Sequence, residues 1–295
     1  MSAKPYALYL GCTISARSEH YEISARKVAE ILGIEFRDIP SFGCCGYPIA
    51  AYNEFDSFAL AAVNLALAER EGCNICALCS ACTGMLAEAA HRFKSDSRLL
   101  EEINGKLSGV GLRYDCGVEV KHFARILYEE VGLDEIKSKV SHPLEGLRIA
   151  AHYGCHYLKP SEIHGGFDDV ESPHTLDDLI ECTGAESIAY TGKLRCCGGG
   201  ALAIDEEVAL KVTKKKLDIL RDEGADAIVL ICPFCGVMYD MNQRNVESRF
   251  QTQYGIPVLF LPQLLGLSFG IHPKQLGLQM NRVKVKPLLQ KVGAL

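Results

Sequence analysis

The chain contains the tripeptide Cys-Cys-Gly twice, at residues 44–46 and 196–198, and both copies belong to a longer repeat of cysteines. Adjacent cysteines rarely form a disulfide with each other, because such a small ring strains disulfide geometry. Five cysteines of the first half recur in the same order in the second half, at offsets of 143 to 153 residues. The first set is Cys12, Cys44, Cys45, Cys79 and Cys82, and the second set is Cys155, Cys196, Cys197, Cys232 and Cys235. The repeat predicts two equivalent halves, each with five thiols.

The segments around these cysteines also repeat, and they predict strands that alternate with helices. The apolar runs 6–12 and 147–155 are typical of strands, and each ends with a glycine and the first cysteine of its half, where we expect a loop. Helical periodicity is present over 18–33, 57–71, 173–184 and 206–223. Strands that alternate with helices pair in parallel through right-handed crossovers. We therefore predict an α/β protein with two pseudo-twofold-related, Rossmann-like units, each a small parallel sheet flanked by helices.

A charged, proline-containing stretch at 137–148 precedes the second copy and predicts a division into domains 1–140 and 141–295. Segment 94–109 has no counterpart in the second half, and its polar, helix-forming composition predicts a surface helix. Every repeated cysteine follows a predicted strand, and ligands of open parallel sheets bind at the carboxyl ends of strands. The five thiols of each half should therefore converge there.

The composition narrows the class of function. A formal net charge of -6 without a basic cluster argues against nucleic acid as the main partner. The N-terminus lacks a signal-peptide pattern and no apolar run reaches about 18 residues, which predicts a cytoplasmic protein without a membrane span. Fourteen cysteines in a reducing compartment indicate metal or redox chemistry rather than disulfides.

Five thiols per half exceed what the common cysteine sites use. Structural zinc sites and cubane 4Fe-4S clusters both take four ligands, so a structural zinc site fits poorly. Each half could hold a cubane cluster and keep one free thiol, or it could hold a cluster of another shape. The glycine after each doublet, Gly46 or Gly198, would let the backbone pass close to inorganic sulfide.

The remaining four cysteines have no repeated partner. Cys73 and Cys76 precede Cys79 at intervals of three, as in a ferredoxin motif, but the second half has Asp226 and Val229 at the matching positions. We therefore expect Cys73 and Cys76 to be ordinary thiols. The sequence assigns no role to Cys116 and Cys182.

The order of one cysteine, Cys-Cys-Gly and Cys-x-x-Cys, present twice over nearly the whole chain, resembles the CCG-domain family of cysteine-rich proteins. Within that family it is similar to the B subunits of heterodisulfide reductases from methanogenic archaea. The resemblance implies a catalytic subunit that reduces the coenzyme M–coenzyme B disulfide to two thiols in methanogenesis. It also implies two noncubane 4Fe-4S clusters, each held by one of the five-cysteine sets, with the disulfide between them.

The resemblance further implies residues that act on the substrate. His156 follows Cys155 at the position of a family histidine beside the substrate, whereas Thr13 follows Cys12. His156 is our candidate proton donor to a leaving thiolate, and a hydrogen bond to sulfide that tunes the potential is the alternative. Both coenzymes are anionic, so basic residues near the cleft are candidate ligands. These are Lys159, Lys193 and Arg195. We expect His152 to be structural.

The chain has no P-loop or complete dinucleotide fingerprint, so electrons must come from a partner. The resemblance implies two partners in the same complex, a small subunit with cubane clusters and a bifurcating subunit with flavin, and a hydrogenase or formate dehydrogenase beyond them. Two alternatives remain open. One is a CCG-type iron-sulfur subunit of a quinone-linked 2-hydroxyacid, glycerol phosphate or succinate oxidoreductase, and the other is a non-catalytic zinc scaffold.

Overall fold

Two four-stranded parallel sheets, one in each half, form the centre of the computed structural model, which describes residues 4–293. The strands are β1 (Tyr6–Tyr9), β2 (Phe36–Arg37), β3 (Asn74–Ala77), β4 (Val120–His122), β5 (Arg148–His152), β6 (Glu186–Ser187), β7 (Ala227–Leu230) and β8 (Val258–Phe260). The first sheet has the order β2-β1-β3-β4 and the second has the order β6-β5-β7-β8. The two halves therefore share one topology, as the cysteine repeat predicts.

Helices connect the strands and cover the sheets. In the first half they are α1 (Gly11–Arg17), α2 (Glu19–Ile31), α3 (Glu54–Arg70), α4 (Ser80–Ser95), α5 (Ser97–Ser108), α6 (Phe123–Ile126) and α7 (Leu133–Ser138). In the second half they are α8 (Thr175–Glu181), α9 (Glu206–Asp222), α10 (Pro233–Gly236), α11 (Gln243–Phe250), α12 (Leu261–Ser268) and α13 (Lys286–Lys291). Two π-helical turns, Leu127–Val131 and Val237–Met241, occupy equivalent places in the two halves.

The central strands explain why each sheet forms. All four residues of β1 and all four of β7 are buried, and both strands pair in parallel on both sides. Continuous apolar strands are typical of parallel sheets because helices cover both faces. The predicted α/β architecture is therefore confirmed.

Each half packs one helix against the other half. The ring of Tyr21 on α2 stacks on Phe260 at the end of β8, with centroids 4.1 Å apart and planes 7° apart. On the opposite side, Tyr128 donates a hydrogen bond to Asp178 on α8 over 3.1 Å. The helix after the first strand of each half thus contacts the last strand-and-helix unit of the other half. This reciprocal packing is the pseudo-twofold relation between the units.

Some local features differ from expectation. Cys12 lies in the first turn of α1 rather than in a loop, whereas Cys155 lies in an irregular connection between β5 and α8. This connection contains the extra residues of the second half. The predicted helix without a counterpart is α5, which packs against α3 and α4. The proposed division at residues 140 and 141 lies between α7 and β5 and remains a prediction.

Within residues 4–293, no helix combines the length and the apolar character that crossing a membrane requires.

Candidate functional site

The repeated cysteines lie at the carboxyl ends of the strands. Cys79 is the residue before α4 and Cys232 is the residue before α10, so both follow a buried central strand. Each doublet precedes a short 3₁₀ turn, Tyr47–Ile49 in the first half and Gly199–Ala201 in the second. The two halves therefore present their cysteines in the same places on the same topology.

Nine of the ten thiols form a continuous row of neighbours. Within each half the doublet contacts the Cys-x-x-Cys pair, and the two halves meet where the Cys79 thiol contacts the Cys232 thiol. The order along the row is Cys44, Cys45, Cys82, Cys79, Cys232, Cys235, Cys197, Cys196 and Cys155. Hydrogen bonds from Cys155 and Cys197 lower the pKa of Cys196. We refer to this arrangement as the cysteine row. It joins the two sets across the boundary between the halves.

The tenth thiol, Cys12, is near enough to Cys44 to raise the pKa of that thiol further, although burial is the main cause. Gly11, just before it, has φ +65°, and a Cβ there would be 2.9 Å from the Sγ of Cys82. A side chain at this position would therefore enter the space that the thiols share. Among residues 4–293 no three His, Cys, Asp or Glu side chains surround a single point as ligands of one metal ion.

Two features of the structure explain why a glycine follows each doublet. Gly46 and Gly198 have φ values of +93° and +91°, and a Cβ at either would overlap a backbone carbonyl of helix α3 or α9. Their N–H groups donate to the Sγ atoms of Cys44 and Cys196 over 3.4 Å and 3.3 Å. Such bonds favour a thiolate, which is the form that binds metal. The predicted space for inorganic sulfide beside these glycines remains a prediction.

His156 is held at the boundary by residues of the first half. Its Nε2 lies 3.0 Å from the Oη of Tyr47, and the two rings meet edge to face with centroids 4.9 Å apart. Gly84 on α4 leaves room for this histidine, since a Cβ there would be 3.3 Å from the His156 Cβ. The counterpart Thr13 has its Oγ1 3.9 Å from the Sγ of Cys12. No signal in the sequence indicated Tyr47 as the partner of His156.

The three basic candidates differ in their surroundings. The Nζ of Lys193 lies 2.6 Å from the Oδ1 of Asp177, and both side chains are largely buried. This lysine is therefore already neutralised within the protein. Lys159 and Arg195 form no ion pair within residues 4–293, and the Arg195 side chain packs over Gly192.

A buried lysine next to the second cysteine set was missed at the level of sequence. Lys216 on α9 is 1% exposed and donates to the backbone carbonyls of Gly192 and Lys193, both over 2.8 Å. Its Nζ lies 3.3 Å from the Nδ1 of His152, whose Nε2 lies 3.3 Å from the Sγ of Cys235. Burial lowers the pKa of Lys216 to about 7. Lys216 lies in a run of three lysines, so nothing in the sequence distinguished it.

The first half has neutral groups at the equivalent positions. Tyr9 takes the place of His152 and donates to the Gly43 carbonyl over 2.6 Å. Asn64 takes the place of Lys216 and donates to the Cys44 carbonyl over 3.0 Å. The two cysteine sets therefore have equivalent thiols, but different side chains pack next to them in the two halves.

His122 positions the backbone just before Cys232. Its Nε2 donates to the carbonyl of Ile231 over 2.8 Å, and its Nδ1 accepts from the N–H of Ala124 over 3.1 Å. These two bonds require the neutral tautomer with the proton on Nε2. Burial lowers the pKa of His122 to about 4.

We expect this histidine to make the fold sensitive to acid. Its pKa of about 4 in the fold lies below the usual 6.5, so its stabilising contribution is present above pH 6.5 and is lost as the pH falls. Between pH 7 and pH 5 the free energy of unfolding should fall by about 2 kcal/mol through His122. Anaerobic urea unfolding at both pH values checks this. His122→Asn should remove that part of the pH dependence, and His91→Asn at an exposed site should keep it. Equal pH dependence in His122→Asn and the wild type would contradict the assignment.

The other four cysteines lie outside the cysteine row. Cys73 and Cys76 are fully buried around β3, and burial raises the pKa of Cys76. Cys182 is buried and donates to the Leu133 carbonyl over 3.7 Å. Cys116 is partly buried in the loop before β4. These positions agree with ordinary core and surface thiols.

A family model and several curated proteins match this chain over most of its length. The family model described as "Cysteine-rich domain" (CCG) matches residues 6–87 and 149–240. The B subunit of the ferredoxin/F(420)H(2)-dependent CoB-CoM heterodisulfide reductase from Methanosarcina acetivorans is 36% identical, with 97% of this chain and 96% of that protein covered. The 8-methylmenaquinol:fumarate reductase membrane anchor subunit from Wolinella succinogenes is 32% identical, with 97% and 99% covered.

A solved structure supports the fold. A hypothetical protein from Helicobacter pylori matches with a TM-score of 0.79 at 17% sequence identity. The match covers 97% of this chain and 53% of that chain, so our chain spans about half the length of the solved protein. With two matches to the family model and relatives over nearly its whole length, the chain belongs to the CCG family of cysteine-rich domains and carries two copies of that domain.

Proposed function

We propose that this protein is the catalytic subunit of a heterodisulfide reductase, which reduces the coenzyme M–coenzyme B disulfide to its two thiols. The observation that carries the proposal is the contact between Cys79 and Cys232, which joins the two cysteine sets across the boundary between the halves. Cleavage of one disulfide takes two electrons and two protons. Two metal sites that adjoin each other suit a reaction of this kind, and the Methanosarcina relative carries the corresponding name.

We propose one noncubane 4Fe-4S cluster for each five-cysteine set. The donor set fits, because each half offers five thiols and a glycine N–H directed at the first sulfur of its doublet. Thiolates are the usual ligands of iron-sulfur clusters. When bound, such clusters supply single electrons. Gly46 and Gly198 would then keep the backbone clear beside each cluster.

The residues at the boundary between the halves would handle the protons. His156 would donate a proton to a leaving thiolate, since an imidazole exchanges protons near neutral pH. Tyr47 orients the ring through its bond to Nε2. Lys159 and Arg195 remain available for anionic groups of the substrate, whereas Lys193 is paired with Asp177. Hydrogen bonding behind Cys235 by His152 would serve to orient that ligand rather than to touch substrate.

Electrons would come from other proteins of a cytoplasmic complex. The relatives from Methanosarcina are named as B subunits, which supports an assembly with further subunits. Our proposed donors are a small subunit with cubane clusters and, behind it, a flavin-bearing, bifurcating subunit. A hydrogenase or formate dehydrogenase would supply them during methanogenesis.

The Wolinella relative favours one second function, that of an iron-sulfur subunit in a quinol-linked fumarate or succinate oxidoreductase. Its name and its 32% identity over 97% of this chain are the supporting observations. The same cysteine sets would then carry electrons between a quinol and another subunit.

Anaerobic metal analysis together with a choice of substrates tests the proposal. The protein should contain about eight irons, two clusters of four, and should reduce the mixed coenzyme disulfide with a reduced viologen as donor. Activity with menaquinol analogues alone would instead support the second function. Tightly bound zinc without iron would support a non-catalytic scaffold and contradict both redox functions.

A further inference from the structure

Lys216 on α9 is a buried cation that no carboxylate neutralises within the described part of the chain. It is 1% exposed, and its Nζ donates to the carbonyls of Gly192 and Lys193 over 2.8 Å. Burial lowers the pKa of Lys216 to about 7, and thiolates at Cys235 and Cys197 oppose that effect. A buried charge is costly in free energy unless an opposite charge compensates it. The second cysteine set is therefore the counter-charge of Lys216.

The groups around the Nζ of Lys216 match the charged form of the side chain. An ammonium group has three N–H donors and no acceptor. Three acceptors face it, namely the two backbone carbonyls and the Nδ1 of His152, which lies 3.3 Å away. The Tyr190 hydroxyl, at 3.5 Å, donates to the Ala151 carbonyl, so it too directs a lone pair at the Nζ. A neutral amine would turn its own lone pair towards one of these acceptors.

His152 transmits the effect of this charge to Cys235. Because the ammonium group only donates, the Nδ1 of His152 accepts, and the proton of the imidazole lies on Nε2. The Nε2 lies 3.3 Å from the Sγ of Cys235, so its N–H donates to that sulfur. Consecutive hydrogen bonds polarise one another, and the ammonium group therefore strengthens the bond to sulfur. We call Lys216 and His152 the lysine–histidine pair.

The first half has no such pair at the equivalent positions. The hydroxyl of Tyr9 donates to the Gly43 carbonyl over 2.6 Å and not to a thiol. Asn64 is neutral, donates to the Cys44 carbonyl and accepts from the N–H of Gly43 over 2.8 Å. The two halves thus differ at this place by one buried positive charge and one hydrogen bond to a cysteine sulfur.

We propose that Lys216, acting through His152, gives the cluster of the second set the higher reduction potential, so that this cluster accepts the first electron. The inference rests on the cluster-binding part of the proposed function. A positive charge and a hydrogen bond to a ligand sulfur both stabilise the electron that a reduced cluster holds. Tyr9 and Asn64 supply neither in the first half. The step is a one-electron reduction in which the donor is oxidised, and it needs no bond change and no proton.

This order of reduction also concerns the side on which the proton donor lies. His156 follows Cys155 and so belongs to the same half as the lysine–histidine pair. The first electron and the proposed proton donor would therefore be on the same side of the boundary between the halves. Lys216 contacts no reacting atom, and its role is to set a potential rather than to take part in bond cleavage.

An anaerobic redox titration of the full, cluster-loaded chain with dithionite, followed by electron paramagnetic resonance, tests the inference. The wild type should show two reduction steps. Lys216→Gln should lower the equilibrium constant of the higher step about tenfold to a hundredfold, which is about 60 to 120 mV at about 59 mV for each factor of ten. The lower step should change little. Lys215→Gln removes an exposed charge one residue away on α9, and as the matched control it should shift neither step because water screens that charge.

Single-cluster variants assign the two steps. The higher step should remain in Cys44→Ala, which keeps the second set, and the lower step should remain in Cys196→Ala, which keeps the first. Lys216→Met, an uncharged side chain of similar length, is the second variant in case Lys216→Gln loses iron. Loss of iron in both variants would overturn the inference in favour of a purely structural lysine.

The remaining outcomes separate this inference from the function on which it rests. Unshifted steps in Lys216→Gln, or a shift of the same size in Lys215→Gln, would overturn the role of Lys216 and leave disulfide reduction standing. A selective shift of the higher step in a chain that fails to reduce the disulfide would support the role of Lys216 and overturn the proposed substrate. Zinc without iron in the wild type would overturn both.

Discussion

Replacing Cys44 or Cys196 by alanine is expected to remove one cluster and leave the other. Iron content should fall from about eight to about four per chain in either variant, because each residue belongs to a different five-cysteine set. Disulfide reduction should fall at least about a hundredfold, since the remaining cluster cannot supply both electrons at once. Anaerobic iron determination and steady-state assays with a reduced viologen provide the measurements.

Cysteines outside the row provide the matched controls. Cys73→Ala and Cys182→Ala remove buried thiols that donate to the backbone carbonyls of Glu71 and Leu133 rather than to a member of either set, so iron content and turnover should be preserved. Their cost should be a modest loss of folding stability from a small cavity. Retention of all iron in Cys44→Ala and Cys196→Ala would contradict the five-thiol assignment and favour a cubane with four ligands in each half.

The second large effect is expected at His156. His156→Ala should keep the iron content and lower kcat about a hundredfold to a thousandfold, because general acid catalysis by a placed side chain contributes about that much. The pH profile of kcat should lose one limb as well. Tyr47→Phe, which removes only the hydroxyl that lies 3.0 Å from Nε2, should lower kcat about tenfold.

The two roles considered for His156 give different results. If the histidine only tunes the cluster, His156→Ala should shift a reduction potential and leave the pH profile intact. Turnover and pH profile identical to those of the wild type would exclude the proton-donor role. Thr13→Ala is the control at the equivalent position of the first half, and we expect little change there.

The fold was largely predictable from the sequence because the repeat constrained two halves at once. The short strands β2 and β6, for example, have two residues each and lie at equivalent edges of the two sheets. The first cysteine was less predictable. Gly11 and Cys12 begin a helix, whereas Gly154 and Cys155 lie in a long irregular connection, and no local pattern distinguishes these two environments.

The candidate site was predictable in its ligands but not in its surroundings. The cysteines repeat at nearly constant spacing, so their convergence followed from topology. The contact between His156 and Tyr47 joins residues 109 positions apart in different halves, and only tertiary packing reveals it. Likewise, the contact of Lys216 with His152 joins α9 to the end of β5 across 64 positions. Residues that lie on different helices or strands, at no regular spacing in the sequence, leave no periodic pattern from which their contact could be predicted.

The reciprocal packing of helices between the halves also limits how a substrate can reach the cysteines. Swinging one half away from the other would separate the stacked rings of Tyr21 and Phe260 and break the contact of Tyr128 with Asp178 on the opposite side. A hinge is therefore an unfavourable route, because the apolar contact between Tyr21 and Phe260 would be exposed to water and the hydrogen bond of Tyr128 would be lost. Entry along a preformed surface avoids this cost. Tyr47 and Phe234 remain 39% and 38% exposed beside the cysteines of the two halves, and they mark the entrance we expect.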